Sequence, residues 1–370
     1  MSQVIKFLRN PGPAALGLAV FLSLAACSRP PLLIGFIGPM TGPTSNIGVE
    51  GYRGFSLAVA EANKSGGVLG RQVESRMLDD RADPAACLEA ARRLVADGAR
   101  VIVLHTISSA AAGALPWLLG QDVLVVSRTV SDASWENLDD NFLRFTGSVT
   151  TFGRSLAGFA AGKSLRMVSI IADTRNRVYC EDLIAAFLEN GPASGPVIWV
   201  DAGFPPDETA VRALSSRPDG VLAIMSGLDA AKTAQALDRQ GFEGVLLLPP
   251  WSQDQNLLSF SGRLASRIYL HSSFSPDNQS PGYLAMKDRY TAVYGEAPTM
   301  PGVFGYEIAQ FLFIGFNDAR SAEPGRVRQA LLARKDFQGL QYGFAMDSEG
   351  DEEMGGLIIT IRDGSYVKAP

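Results

Sequence analysis

The chain has 370 residues, 46% of them hydrophobic, with a formal net charge of −5. That length and apolar content support two ordinary domains with proper cores. The acidic balance, with no Lys/Arg-rich face, argues against a nucleic-acid partner. Three cysteines and two histidines without metal-ligand spacing give no support to a zinc site.

The N-terminus reads as a targeting segment rather than part of the fold. Lys6 and Arg9 give it a positive start, and Ala14–Leu24 is apolar but too short to span a bilayer. It ends in Leu24-Ala25-Ala26-Cys27, which resembles the lipobox of bacterial lipoproteins. On that resemblance residues 1–26 are a signal peptide, Cys27 is lipidated, and residues 27–31 are a tether. An ordinary secretory signal with a chance cysteine is the alternative. Both place the rest of the chain outside the cytoplasm.

Leu32–Ile37 predicts a first strand, followed by the loop PMTGPTSNIG and a helix from about Val49 to Lys64. Ser65-Gly66-Gly67 stops that helix, and VLGRQVESRMLDD supplies a second strand ending at Asp79-Asp80. Pro84 opens the next helix at a favoured first-turn position. Val101–Leu104 and Val123–Val126 are apolar runs separated by the helical stretch Ala110–Leu119. Short apolar runs joined by helices read as parallel strands buried on both faces. Each of these two runs leads into hydroxyl residues: Thr106, Ser108 and Ser109 after the first, Ser127, Thr129 and Ser131 after the second. Ligands of such sheets bind in the crevice outside the strands' carboxyl ends. This stretch is therefore read as half of a binding site.

A second strand–helix cycle follows. Strands are predicted at Met167–Ile171, Val197–Val200, Val221–Met225, Val245–Leu248 and Ile268–Leu270. The remainder reads as helices over Tyr283–Tyr294, Val303–Asn317 and Arg326–Ala333. Two strand-like runs then flank an Asp363-Gly364 turn. The class is α/β: two doubly wound, Rossmann-like lobes.

Catalytic patterns are missing. There is no G-x-S-x-G elbow, no H-E-x-x-H helix and no G-x-G-x-x-G after a strand. Gly158–Ser164 imitates a phosphate-binding loop, but it is one residue short and follows no strand. Asp79-Asp80 reads as turn and capping carboxylates. Two lobes without a reactive group or cofactor motif describe a binding protein that closes on a small ligand.

The segments IGFIGPMTGP, EANKSGGVLGR, LDDRADPAACLEAARRLVADG, HTISS and YCEDL resemble the leucine/isoleucine/valine-binding type of ABC-transporter substrate-binding protein, the type I periplasmic binding fold. The resemblance covers nearly all of Leu32–Pro370. It implies an N-terminal lobe of residues 32–147 plus 274–350 and a C-terminal lobe of 148–273 plus 351–370. A multi-strand hinge would pass through Gly147-Ser148, Ser272-Ser273 and near Gly350. It also implies ABC permease subunits as partners, no cofactor, and no enzymatic activity. A ligand-sensing module of the same fold, without transport, is the second reading.

By that resemblance Ser108 holds a ligand carboxylate, with Ser109 beside it. Thr129, Val130 and Ser131 supply further polar contacts, and Tyr179 closes over the ligand. The departures from the family pattern are informative. The place of the acidic residue that pairs with an amino-acid ammonium reads Pro249-Pro250-Trp251, a family tyrosine place is Ser226, and a first-lobe aromatic place is Ile47. Without a carboxylate partner a buried ammonium is costly, unless Asp254 or Asp173 reaches in. Arg128 is either a cation near the serines or a solvated strand-end charge. The ligand expected is one with an acid or amide group and an apolar or aromatic body against Trp251. The family's usual disulfide places are Ala82 and Ile107, so Cys87 and Cys180 are expected as free thiols.

Overall fold

The first sheet consists of β1 (Leu32–Gly38), β2 (Val73–Asp79), β3 (Val101–Leu104), β4 (Leu124–Ser127) and β5 (Phe142–Arg144). All five are parallel, in the order β2-β1-β3-β4-β5. The computed structural model describes residues 29–334, 336–352 and 356–370. The expected signal peptide, Cys27 and the start of the expected tether lie outside the described residues.

β3 and β4 are buried throughout, as their uninterrupted apolar runs require. Val101, Val103, Leu124 and Val126 face one core, which holds Phe55 and Phe311. Ile102, Leu104 and Val125 face the other, which holds Cys87, Leu94 and Leu115. The strand order reverses between β1 and β3, and that switch point leaves a crevice at the strands' carboxyl ends.

The second sheet contains β6 (Met167–Asp173), β7 (Ala193–Val200), β8 (Gly220–Ile224), β9 (Val245–Leu248) and β10 (Ile268–Ser272). Their order, β10-β9-β8-β6-β7, repeats the topology of the first sheet, with its own switch point between β6 and β8. After β10 the chain goes back to the first core. Phe274, Tyr283, Met286, Phe311 and Val327 pack there with Phe36 and Val103. They belong to the helices Pro281–Tyr294, Met300–Ala319 and Pro324–Ala333, or lead into them. A short pair, β11 (Phe337–Gln338) with β12 (Gly343–Phe344), follows. The last hairpin, β13 (Leu357–Arg362) and β14 (Ser365–Lys368), joins the second sheet antiparallel at β10.

The chain thus passes between sheets three times. The third passage runs beside the first: Arg144 N–H donates to Gly350 O at 2.8 Å, and Glu352 N–H donates to Arg144 O at 3.1 Å. β5 was not predicted. Its three residues carry too little pattern to separate from the loop that follows. The first helix starts at Ser45 rather than about Val49, and Ser148 caps the helix Val149–Gly162 at Thr150 N–H. Cys87 and Cys180 are free, buried thiols, as expected.

The helices Ser45–Lys64 and Met300–Ala319 cross with their backbones in near contact. A Cβ added at Gly54 would lie 1.8 Å from the Gly302 carbonyl oxygen, and one at Gly305 would lie 1.9 Å from that of Gly51. This approach sets the first turns of the Met300–Ala319 helix over the crevice. Gly54→Ala should therefore cost about 1–3 kcal/mol by overpacking, measured by urea unfolding. Gly325→Ala, where a Cβ meets nothing within 4 Å, should be neutral or stabilising.

Candidate functional site

Three of the hydroxyls after β3 and β4, on Ser108, Ser127 and Thr129, lock their own loops, while those of Thr106 and Ser109 are buried without a partner. Ser127 Oγ donates to Leu104 O at 2.7 Å and accepts from Thr129 N–H (3.1 Å) and Val130 N–H (3.0 Å). Thr129 Oγ1 donates to Thr106 O at 2.9 Å, and Ser131 N–H donates to Ser108 Oγ at 3.3 Å. Much of the polar set expected to hold a ligand is thereby already engaged.

A cavity of about 60 Å3 lies between the two sheets at their carboxyl ends. At roughly 10–15 Å3 per water it has room for about four to six waters. One wall comes from Asn46, Ile47, Thr106, Ile107, Arg128, Thr129 and Ser131. The facing wall is Phe152, Asn176, Tyr179, Pro250, Trp251 and Gln253. Thr146 and Ser273 come from two of the passages between sheets, and Met300, Pro301 and Phe304 form a third side. No acidic side chain lines this cavity among the described residues.

Of the residues picked out in the sequence, Arg128, Thr129, Ser131, Tyr179 and Trp251 meet at the cavity. Four do not line it. Val130 is buried in the first-sheet core, and Ser108 is 1% exposed. Ser109 turns its N–H to Asn176 Oδ1 across the cleft at 3.0 Å. Ser226 caps the helix Gly227–Arg239 and donates to Asp229 at 3.3 Å. A serine after a strand and before a helix suits a cap as well as a ligand contact, and here the cap accounts for it.

Tyr179 and Trp251 form the apolar face, with ring centroids 6.0 Å apart and planes at 74°. This edge-to-face arrangement is favoured by the ring quadrupoles. Trp251 packs against core residues of both lobes. The Tyr179 hydroxyl and Trp251 Nε1 are both buried without a hydrogen-bond partner. Burial pushes the Tyr179 phenol up, so it stays protonated and a donor. Two unpaired donors in an apolar enclosure form a site for an acceptor-bearing ligand.

Arg128 is 1% exposed, which corrects the reading of it as a solvated strand-end charge. Its Nε lies 3.0 Å from Glu307 Oε2 and its Nη1 3.1 Å from Glu352 Oε2. Nη1 also donates to Phe145 O at 2.5 Å and Nη2 to Tyr342 Oη at 3.3 Å, while the guanidinium sits 4.5 Å over the Phe304 ring. Burial opposes its charge, but Glu307, Tyr342 and Glu352 hold it above the ordinary arginine range. Burial raises the Glu352 carboxyl against the pull of Arg128. One cation between two carboxylates leaves no surplus positive charge for a ligand.

Neither acidic candidate turns to the cavity. Asp173 accepts from Arg175 N–H at 2.9 Å and pairs with its guanidinium. Asp254 caps Leu257 N–H at 2.9 Å and accepts from Asn46 Nδ2 at 3.0 Å, and burial pushes its carboxyl up to about 6. The Asn46–Asp254 and Ser109–Asn176 bonds cross the cleft, as does Ala133 N–H to Asp182 Oδ2 at 2.8 Å. The lobes are closed on each other.

Sequence reasoning did not pick out Asn46, Asn176, Gln253, Met300 or Phe304. Three of these lie in or next to loops already marked: Asn46 beside Ile47, Gln253 beside Trp251, and Asn176 just before Tyr179. Met300 and Phe304 come from a helix about 170 residues beyond β4, and nothing in their local pattern points to the cleft.

Arg128→Met tests the assignment of this residue. It would leave Glu307 and Glu352 buried without a cation, so urea unfolding at pH 7 should show a loss of about 3–5 kcal/mol. An arginine serving only the ligand would leave the unliganded protein within about 0.5 kcal/mol of wild type.

A family model described as periplasmic binding protein matches residues 31–356. The leucine-, isoleucine-, valine-, threonine-, and alanine-binding protein of Pseudomonas aeruginosa is 22% identical over 343 residues, 91% of each chain. The Leu/Ile/Val-binding protein BraC3 of Rhizobium johnstonii is 34% identical over 114 residues, so the match spans 31% of that relative and 31% of this chain. Among solved structures, the substrate-binding protein LivJ of Streptococcus pneumoniae, in complex with isoleucine, superposes with a TM-score of 0.84 at 20% identity, covering 92% of this chain and 99% of the other. An R. palustris solute-binding protein in complex with benzoate gives 0.82 at 18% identity, covering 91% and 95%. These two likenesses show the fold.

Proposed function

The chain belongs to the periplasmic binding protein family, in its Leu/Ile/Val-binding type, and from that premise we propose that it is an extracytoplasmic receptor for a small organic acid or amide, delivered to an ABC permease. Members of this family bind solutes and are not enzymes. In this reading the lobes, residues 32–147 with 274–350 and 148–273 with 351–370, rotate about the three passages and close on the ligand. No helix of the described residues is long and apolar enough to cross a membrane. Attachment to the membrane is assigned in this proposal to a lipid on Cys27, with residues 27–31 as the tether.

One observation carries the choice of ligand. The cavity has three buried groups able to donate and without partners, on Thr106, Tyr179 and Trp251, and no carboxylate in its lining. An α-amino acid would bring an ammonium into a desolvated space with no counter-charge, which is strongly unfavourable. A carboxylate or amide oxygen instead satisfies the donors, with Thr129, Ser131 and Asn176 within the same lining. The benzoate complex of a protein with this fold is in keeping with such a ligand.

A thermal-shift panel of aliphatic acids, aromatic acids, their amides and the common amino acids tests the proposal. An acid or amide that binds should stabilise by about 2.7 kcal/mol at a hundredfold excess over its Kd, a rise of several degrees in Tm. Stabilisation by leucine or another α-amino acid alone contradicts it.

A further inference from the structure

A second hollow, of about 310 Å3, borders the cavity along the seam between the lobes. Gln253 and Met300 line both spaces and so form the partition. The two are unequal as barriers. Gln253 is 2% exposed and fixed at both ends of its amide: Nε2 donates to Phe274 O at 3.2 Å, and Oε1 accepts from the Ser272 hydroxyl. Met300 opens the Met300–Ala319 helix and carries an unbranched thioether chain, the type that repacks most readily.

The volumes give the partition a consequence. A cavity of about 150 Å3 is known to hold benzene, whereas the one between the lobes is about 60 Å3. A ligand with an aromatic or branched body therefore does not fit while Met300 keeps its place. The hollow beyond it is lined by Leu258, Phe274, Pro298 and Tyr366, with Asp277 and Lys287 as its charged side chains. Opposite charges that offset each other, beside the apolar stretch of Leu258, Phe274, Pro298 and Tyr366, suit a neutral tail.

Resting on the reading that the ligand's acceptor group meets Tyr179 and Trp251, we infer that the site is bipartite, with the ligand head in the cavity and an aryl or alkyl tail passing Met300 into the hollow. Met300 is then the residue that sets ligand length.

Calorimetric titration of wild type, Met300→Ala and Met300→Phe with phenylacetate through phenylhexanoate tests this. A parallel series uses α-amino acids with lengthening side chains, from alanine to homophenylalanine. Acetate, a head group without a tail, should bind all the proteins alike. Each further methylene should tighten binding to wild type and Met300→Ala about fourfold, the equivalent of about 0.8 kcal/mol per buried CH2. Met300→Phe should abolish that gain and weaken the longest acid tenfold or more, and Met300→Leu, close to methionine in volume, should keep the wild-type profile. The same length dependence in all the variants overturns the inference. Binding of the amino-acid series alone refutes the acid-or-amide reading instead, and its length dependence across the variants still decides the role of Met300.

Discussion

The buried charge cluster around Arg128 is the constraint on which the rest of the site depends. One guanidinium at the carboxyl end of β4 binds Glu307 from the Met300–Ala319 helix, Glu352 from the third passage between sheets, and the Phe145 carbonyl from the first. Three segments far apart in sequence are held to one point, and the cavity lies against it. Such a cluster gains little net stability over an apolar replacement, but breaking it is expensive. Its effect is to fix the relative positions of the strand end, the helix over the crevice and the crossing chains.

That arrangement also underlies the ligand proposed for the site. Because Arg128 is already matched by two carboxylates, it does not act as a bare cation. The Ser108, Ser127 and Thr129 hydroxyls are likewise engaged with their own loops. The buried groups without a partner in the cavity lining include the Thr106 hydroxyl and the donors on Tyr179 and Trp251. Under the proposed reading, the departure from amino-acid recognition lies on the facing wall. There a proline pair and Trp251 stand where the family has an acidic residue. The penalty for an ammonium comes from a missing partner rather than from a steric clash.

Much of the fold could be read from sequence because its cause is local. β3, β4, β8 and β9 are short apolar runs between helices, and burial on both faces demands that composition. The hairpin at Asp363-Gly364 follows from turn chemistry. The aromatic half of the site was also apparent, since Tyr179 and Trp251 stand beside recognisable motifs. The remainder depended on partners that sequence spacing does not reveal. Arg128 looked like a strand-end charge because Glu307 and Glu352 lie about 180 and 220 residues away. Ser108, Val130 and Ser226 had the right residue types in the right loops. Whether a hydroxyl or N–H faces the cavity or closes a turn depends on which polar group is within reach: Ser108 accepts from Ser131 N–H, Val130 N–H donates to Ser127, and Ser226 donates to Asp229. Met300 entered the site through the glycine-mediated crossing of two helices, an effect of tertiary packing alone.

The most direct test of the account is a crystal structure of the protein saturated with the tightest-binding compound of the thermal-shift panel. The account predicts a carboxylate or amide oxygen within hydrogen-bond distance of Tyr179 Oη or Trp251 Nε1, with Arg128 still paired to Glu307 and Glu352. A bound α-amino acid whose ammonium is paired with Asp254 or Asp173, turned into the cavity, would contradict it.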